Sequence, residues 1–163
     1  MPTDLAFESF YRTHHAGLVA LAAAVSGSRL FADDLAQEAL VVVHQRWDQV
    51  AGYDDPGAWA RRVLVNKAIS RRRRETLEQK GASELEALHP GNAVASPPEN
   101  DQEIWAAVAE LPDHQRIAVA LHYLEGHDAA SIGRVLDCAA STARVHLHRG
   151  RRSLATRLAS EEV

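Results

Sequence analysis

Phe7, Tyr11, His14, Leu18, Leu21 and Val25 follow one another at intervals of four, three, four, three and four residues. That spacing returns side chains to one face of an α-helix and to no face of a strand. The chain is therefore expected to open with an amphipathic helix, capped at Thr3 or Asp4 and stopped at Gly27. The pattern recurs from Phe31 to Trp47, where Leu35, Ala39, Val42 and Trp47 share one face while Asp34, Glu38, Val41 and Gln45 share the other. A turn-rich break follows, in which Asp55 can cap a third helix and Pro56 can take its first position. This helix, Ala58 to about Arg74, is apolar all round at first and arginine-rich at its end, as expected of a helix packed between neighbours whose last turns project into solvent.

The pattern lapses from Gly81 to Asn100, where Pro, Gly, Ser and Asn are spread without a sustained apolar face. This stretch reads as a linker, with a short helical turn around Leu85. Helical spacing returns at "DQEIWAAVAEL"; Pro112 starts another helix that carries Ile117, Leu121 and Leu124, and Gly126 ends it. A short helix from Asp128 to Leu136, a break at Asp137 to Ala139 and a longer helix from Ala140 to about Leu158 complete the chain. No β-rich run occurs, so the fold class is all-α: two small helical domains, 1–76 and 101–163, joined by a flexible linker, 77–100. Ile132, Val135 and Leu136 can meet Ala143 and Leu147, which is the spacing of a helix-turn-helix.

The charges are segregated. The formal net charge is -4, yet residues 57–74 hold seven basic side chains and no acid, and residues 138–160 hold five more and no acid. Two basic patches on an acidic body suit two separate contacts with a polyanion; the plain alternative for either patch is a solvated helix end. In a helix-turn-helix the second helix enters the major groove. That places Ser141, Thr142, Arg144, Val145, His148 and Arg149 toward DNA, with Arg151 beyond them. Arginine can read a guanine edge or pair with a phosphate, and both roles stay open here.

Other classes are weighed against this. The single cysteine, Cys138, cannot form an internal disulfide, and no zinc-finger spacing occurs. It lies in the motif turn, where a buried structural role outweighs an oxidant-sensing one. The start lacks a signal-peptide pattern, and the longest apolar run is too short to span a bilayer, so a soluble cytoplasmic protein without membrane association is expected. His14 with His15 and His146 with His148 are too close in sequence to share a helical face. With no metal pattern, nucleophile–base pair or phosphate-cradling loop, neither catalysis nor a metal or other cofactor is expected.

Three segments carry a resemblance. "ADDLAQEAL" resembles the core-binding segment in region 2 of the extracytoplasmic-function group of the sigma-70 family, the small promoter-recognition subunits of bacterial RNA polymerase. "DPGAWARRVLVNKAISRRRR" resembles the next segment of that region, which reads and melts the minus-10 element. "LPDHQRIAVALHYLEGHDAASIGRVLDCAASTARVHLHRGRRSL" resembles region 4 with its recognition helix. The order matches over nearly the whole chain. The pattern departs at Ser70, Ser131, Gly133, Val145 and His146, where the family commonly has Asp, Glu, Ala, a small polar residue and Arg.

The resemblance implies a sigma factor that binds core RNA polymerase and directs promoter-specific initiation. It assigns Asp34, Gln37, Glu38 and Val41 to the clamp helices of the polymerase's largest subunit. For the minus-10 element it implies Tyr53 as a stacking face for a flipped base, Asn66 and Lys67 for the non-template strand, and Arg61, Arg62, Arg71 and Arg72 for phosphates. The minus-35 element falls to the helix-turn-helix residues named above. An anti-sigma factor, which often holds proteins of this family inactive, is a further expected partner, and the free chain is expected to be monomeric. A linker of about 20 residues reaches roughly 65 Å, enough for two modules to grip one promoter. The rival reading is a stand-alone helix-turn-helix regulator, which would leave the acidic face of the second helix and the arginines of the third unexplained.

Overall fold

The computed structural model describes residues 2–79 and 99–161, which form eight helices and no strand. Residues 80–98, most of the expected linker and its turn around Leu85, lie outside the described residues.

The first unit comprises α1 (Pro2–Ser26), α2 (Ala32–Gln45), the single turn α3 (Trp47–Val50) and α4 (Pro56–Gln79). α1 begins at Pro2, ahead of the expected cap, and Asp4 lies inside its first turn, where a carboxylate favours the helix dipole. It stops at Gly27, whose φ of 71° suits glycine. The segment expected to run unbroken to Trp47 divides at Arg46, so that Trp47 starts α3 and packs against Phe7 and Phe10. The Asp55 carboxylate accepts from the Ala58 N–H at 2.9 Å and Pro56 is the first residue of α4, as expected. α4 continues past Arg74 to Gln79, assisted by an Arg71–Glu75 pair. Leu18, Leu21, Val25, Leu35, Leu40, Val43, Leu64 and Val65 form the core where α1, α2 and α4 meet.

The second unit comprises α5 (Glu99–Ala109), α6 (Asp113–Glu125), α7 (Ala129–Leu136) and α8 (Ala140–Glu161). Pro112 is the residue before α6, and Gly126 closes that helix in the left-handed region. Leu124, expected inside, is exposed, whereas Arg116 is buried. Asp128 caps α7 by accepting from Ser131 N–H at 2.9 Å, and Asp137 turns the chain at φ 57°. Ile132 and Val135 pack on Ala143 and Leu147, which completes the helix-turn-helix.

Gly133 sits tightly against this turn. A Cβ there would lie 2.6 Å from the Cys138 carbonyl oxygen, and Cys138 N–H donates back to the Gly133 carbonyl at 2.9 Å. Gly133→Ala gains about 1 kcal/mol of helix propensity but must push the turn open. A net loss of about 1–2 kcal/mol is expected, read as a lower urea midpoint with unchanged slope.

The two units are packed together: α1 lies on α5 and α6, and α4 lies on α7. Ile117 and Leu121 of α6 join the same buried apolar cluster as Leu18 and Leu21 of α1.

Candidate nucleic-acid and partner interfaces

On α2, positions 34, 37, 38 and 41 fall on one exposed face because they are spaced by three, one and three residues. Asp34 is free of ion pairs among the described residues, Gln37 donates to the Tyr11 hydroxyl at 2.8 Å, and Glu38 lies 4.0 Å from Lys67. Val41 is 51% exposed, an apolar side chain among acids. A charged rim around an apolar contact is the makeup of a protein-docking face.

α4 runs beside α2, and an open groove of about 600 Å³ between them is lined by Glu38, Asn66, Lys67, Arg71 and Arg74. Arg71 lies 3.6 Å over the Phe31 ring. Tyr53 is half-exposed in the loop before α4 and meets Trp59 edge-on; Trp59 itself packs against the core.

The other arginines of α4 turn toward the second unit. Arg61 donates through Nε to Glu125 at 2.5 Å and through Nη1 to the Gly57 carbonyl, and His14 Nδ1 lies 3.4 Å from it. Arg62 donates to the Arg134 carbonyl at 2.6 Å and lies 3.5 Å from Asp137. Arg72 donates to the Ala109 carbonyl, and Arg73 lies 3.5 Å from Asp113. Arg134 in turn approaches Asp55 at 3.8 Å. Two glycines make room for this seam: a Cβ at Gly57 would meet His14 at 2.8 Å and Arg61 at 2.9 Å, and one at Gly17 would meet Glu125 at 3.0 Å.

Burial shifts the titrations here. Burial pushes the Glu125 carboxyl up, but hydrogen bonds from His127 and Arg61 and the Arg61 charge outweigh it and hold the group below its ordinary value. Burial, then the Arg61 charge, push His14 down against the smaller pull of Glu125 and Asp55. His14 is thus favoured neutral when the units are packed, and its contribution to stability is present above its ordinary value of 6.5 and lost as pH falls through the lowered one. His146, lowered by burial and then by His114 and Arg149, acts in the same direction. The melting temperature is therefore expected to fall as pH is lowered from 7.5 to 5, with a shallower fall in His14→Gln.

On α8, Ser141, Thr142, Arg144, Val145, His148 and Arg149 are all exposed. Arg144 and Arg149 have no ion-pair partner among the described residues, whereas Arg151 is held by the Tyr123 hydroxyl and His122 Nε2, each at 2.9 Å. Burial, then Asp137, push the Cys138 thiol up, away from a reactive thiolate. Among the described residues no three His, Cys, Asp or Glu side chains form a metal-binding group, and no helix is long and apolar enough to cross a membrane.

Arg73, Asp113, Arg116, Glu125, His127, Arg134 and Asp137 are the seam residues that sequence reasoning missed. One of them left a signal: Glu125 is the last residue of a helix, where its charge opposes the dipole and calls for a cation.

A helix-turn-helix with unpaired arginines on its second helix, joined to a helical unit with its own arginine-rich helix and an exposed acidic face, has the makeup of a DNA-binding protein that also holds a protein partner. The description sigma-70 region 2 matches residues 10–78, and sigma-70 region 4 matches residues 101–154. The extracytoplasmic-function RNA polymerase sigma factor SigM of Mycobacterium tuberculosis is 29% identical over 155 residues, which cover 92% of this chain and 76% of that one. The sigma-E factor of Escherichia coli is 28% identical over 134 residues, 74% of this chain and 70% of its own. Among solved structures, the sigma factor RpoE of Bartonella quintana, in complex with the anti-sigma factor NepR, superposes with a TM-score of 0.77 at 22% identity, covering 94% of this chain and 96% of that one. CnrH, in complex with the cytosolic domain of CnrY, superposes with a TM-score of 0.69 at 18% identity, covering 96% and 90%. The chain belongs to the sigma-70 family, in its extracytoplasmic-function group. Its function follows from that membership: it binds core RNA polymerase and directs promoter-specific initiation.

Proposed function

We propose that the work is divided by unit: residues 1–76 bind polymerase and the minus-10 element, and residues 101–163 bind the minus-35 element, with 77–100 between them. Asp34, Gln37, Glu38 and Val41 dock on the clamp helices of the polymerase's largest subunit. The observation that carries this is one exposed face of α2 holding an unpaired acid beside an exposed valine. Asn66 and Lys67 hold the non-template strand along the groove beside α2, Tyr53 stacks on a flipped base, and Arg61, Arg62, Arg71 and Arg72 take phosphates. Ser141, Thr142, Arg144, Val145, His148, Arg149 and Arg151 face the minus-35 duplex, with Arg144 and Arg149 as its readers.

The chain itself performs no catalysis in this reading, and it works in the cytoplasm, where polymerase and chromosome meet. An anti-sigma factor is its natural inhibitor, as the solved relatives are themselves bound by one or by a cytosolic domain.

Transcription by core polymerase from a pool of promoter fragments tests the reading. Selective initiation that depends on the protein is expected, and Arg144→Ala should reduce it by about 1–3 kcal/mol in promoter affinity, relaxing one position if the arginine reads a base. Equal use of all fragments with and without the protein would reject it.

A further inference from the structure

The outward ridge of α8 carries one apolar side chain among polar ones. Val145 lies two residues from each of Ala143 and Leu147, the buried residues that seat α8 on α7. At about 100° per residue it stands roughly 160° from both, on the side facing away from the core. It is 45% exposed. The fold gains nothing from it: a β-branched side chain is a weaker helix former than alanine, and one that buries no surface recovers none of that cost. Its exposed neighbours on that side can all form hydrogen bonds: Ser141 one turn before it, His148 and Arg149 one turn after it. The adjacent His146 is turned away, with its ring edge-on to His114 of α6 and the two centroids 5.0 Å apart.

In the major groove the base edges present hydrogen-bond donors and acceptors, and one large apolar group, the 5-methyl of thymine. Resting on the reading of α8 as the minus-35 helix, we propose that Val145 selects a thymine by packing on that methyl group. It adds an apolar reader to Arg144 and Arg149, at a position where the family commonly has a small polar residue. A cytosine or guanine in the same place would turn a polar edge group against the valine and leave it without a partner, so the residue discriminates by exclusion as well as by attraction.

The test uses the full chain with core polymerase, on a promoter selected from a pool randomised through the minus-35 element. Each thymine of the selected element, on either strand, is replaced singly by deoxyuridine, which removes the methyl and leaves every hydrogen-bonding group in place. One replacement is expected to lower promoter affinity about 4-fold, the worth of one buried methyl group. The same replacement should have no effect with Val145→Ser, an exposed change that removes nothing from the core, and Val145→Thr, which keeps one methyl, should retain part of the effect. A selected element without thymine, no deoxyuridine effect at any position, or an effect equal in wild type and Val145→Ser would overturn the proposal. Arg149→Ala, measured in parallel, separates it from the reading on which it rests. If Arg149→Ala weakens binding through the minus-35 element while no methyl matters, the thymine contact alone is rejected. If neither Arg149→Ala nor Val145→Ser changes the response to the minus-35 sequence, the placement of α8 fails with it.

Discussion

Arg116→Leu is expected to destabilise the second unit by about 3–5 kcal/mol. Arg116 is 1% exposed and all three nitrogens of its guanidinium are used: Nε donates to the Val25 carbonyl at 2.7 Å, Nη1 to the Leu111 carbonyl at 2.8 Å and Nη2 to Asp113 at 2.7 Å. Leucine fills part of the space but leaves two buried carbonyls without a donor and Asp113 with only the more distant Arg73. The Val25 carbonyl belongs to the last turn of α1, so the loss also loosens the packing of one unit on the other. At about 4 °C per kcal/mol, the melting temperature should fall by roughly 12 °C or more. Arg116→Lys should recover only part of the loss, because an ammonium cannot span three acceptors in one plane. A fall of less than a few degrees would mean that the unit tolerates orphaned carbonyls at this junction.

Arg116 also marks the limit of what residues in order can reveal. The helices were legible because each has its own punctuation: the 4-3-4 stepping of α1, Gly27 after it, Asp55 and Pro56 before α4, Gly126 after α6. The helix-turn-helix was legible because its two apolar faces lie close in sequence. α2 misled only at its end, since the step to Trp47 continues the apolar face across a break that Arg46 makes in the backbone. The faces of α2 and α8 proposed for docking and for DNA were readable from the helical pitch as exposed, and exposure is what the fold shows of them.

The seam between the units was not legible. Arg61 and Glu125 are 64 residues apart, and nothing local to either says that they meet. The arginines of α4 look alike in sequence, yet Arg71 covers Phe31 within its own unit while Arg61, Arg62 and Arg72 reach carbonyls and carboxylates of the other. Periodicity separates faces of one helix; it does not say which neighbour each face will find. Gly133 shows the same limit: its cost to the helix is visible in the sequence, whereas the carbonyl that crowds a Cβ comes from the far side of the turn.

Asp34→Arg with Glu38→Arg is expected to lower association with core polymerase by about 100-fold or more while leaving the fold intact. Both side chains are exposed, and among the described residues only the 4.0 Å approach of Lys67 to Glu38 is lost, so the melting temperature should hardly move. Setting two cations where the partner expects two anions costs several kcal/mol of like-charge contact, and each 1.4 kcal/mol is a factor of ten. Each reversal adds two positive charges, which together cancel the net charge of -4. Binding of the free variant to random DNA should therefore rise, not fall. The two effects run in opposite directions and separate the functions cleanly: a polymerase-dependent initiation factor loses selective transcription even though its grip on DNA improves, whereas a stand-alone regulator gains occupancy along with affinity. Co-purification with core polymerase, filter binding to a random duplex and transcription from the promoter pool, run on the same two proteins, distinguish these outcomes. Retained co-purification would move the polymerase contact off this face of α2.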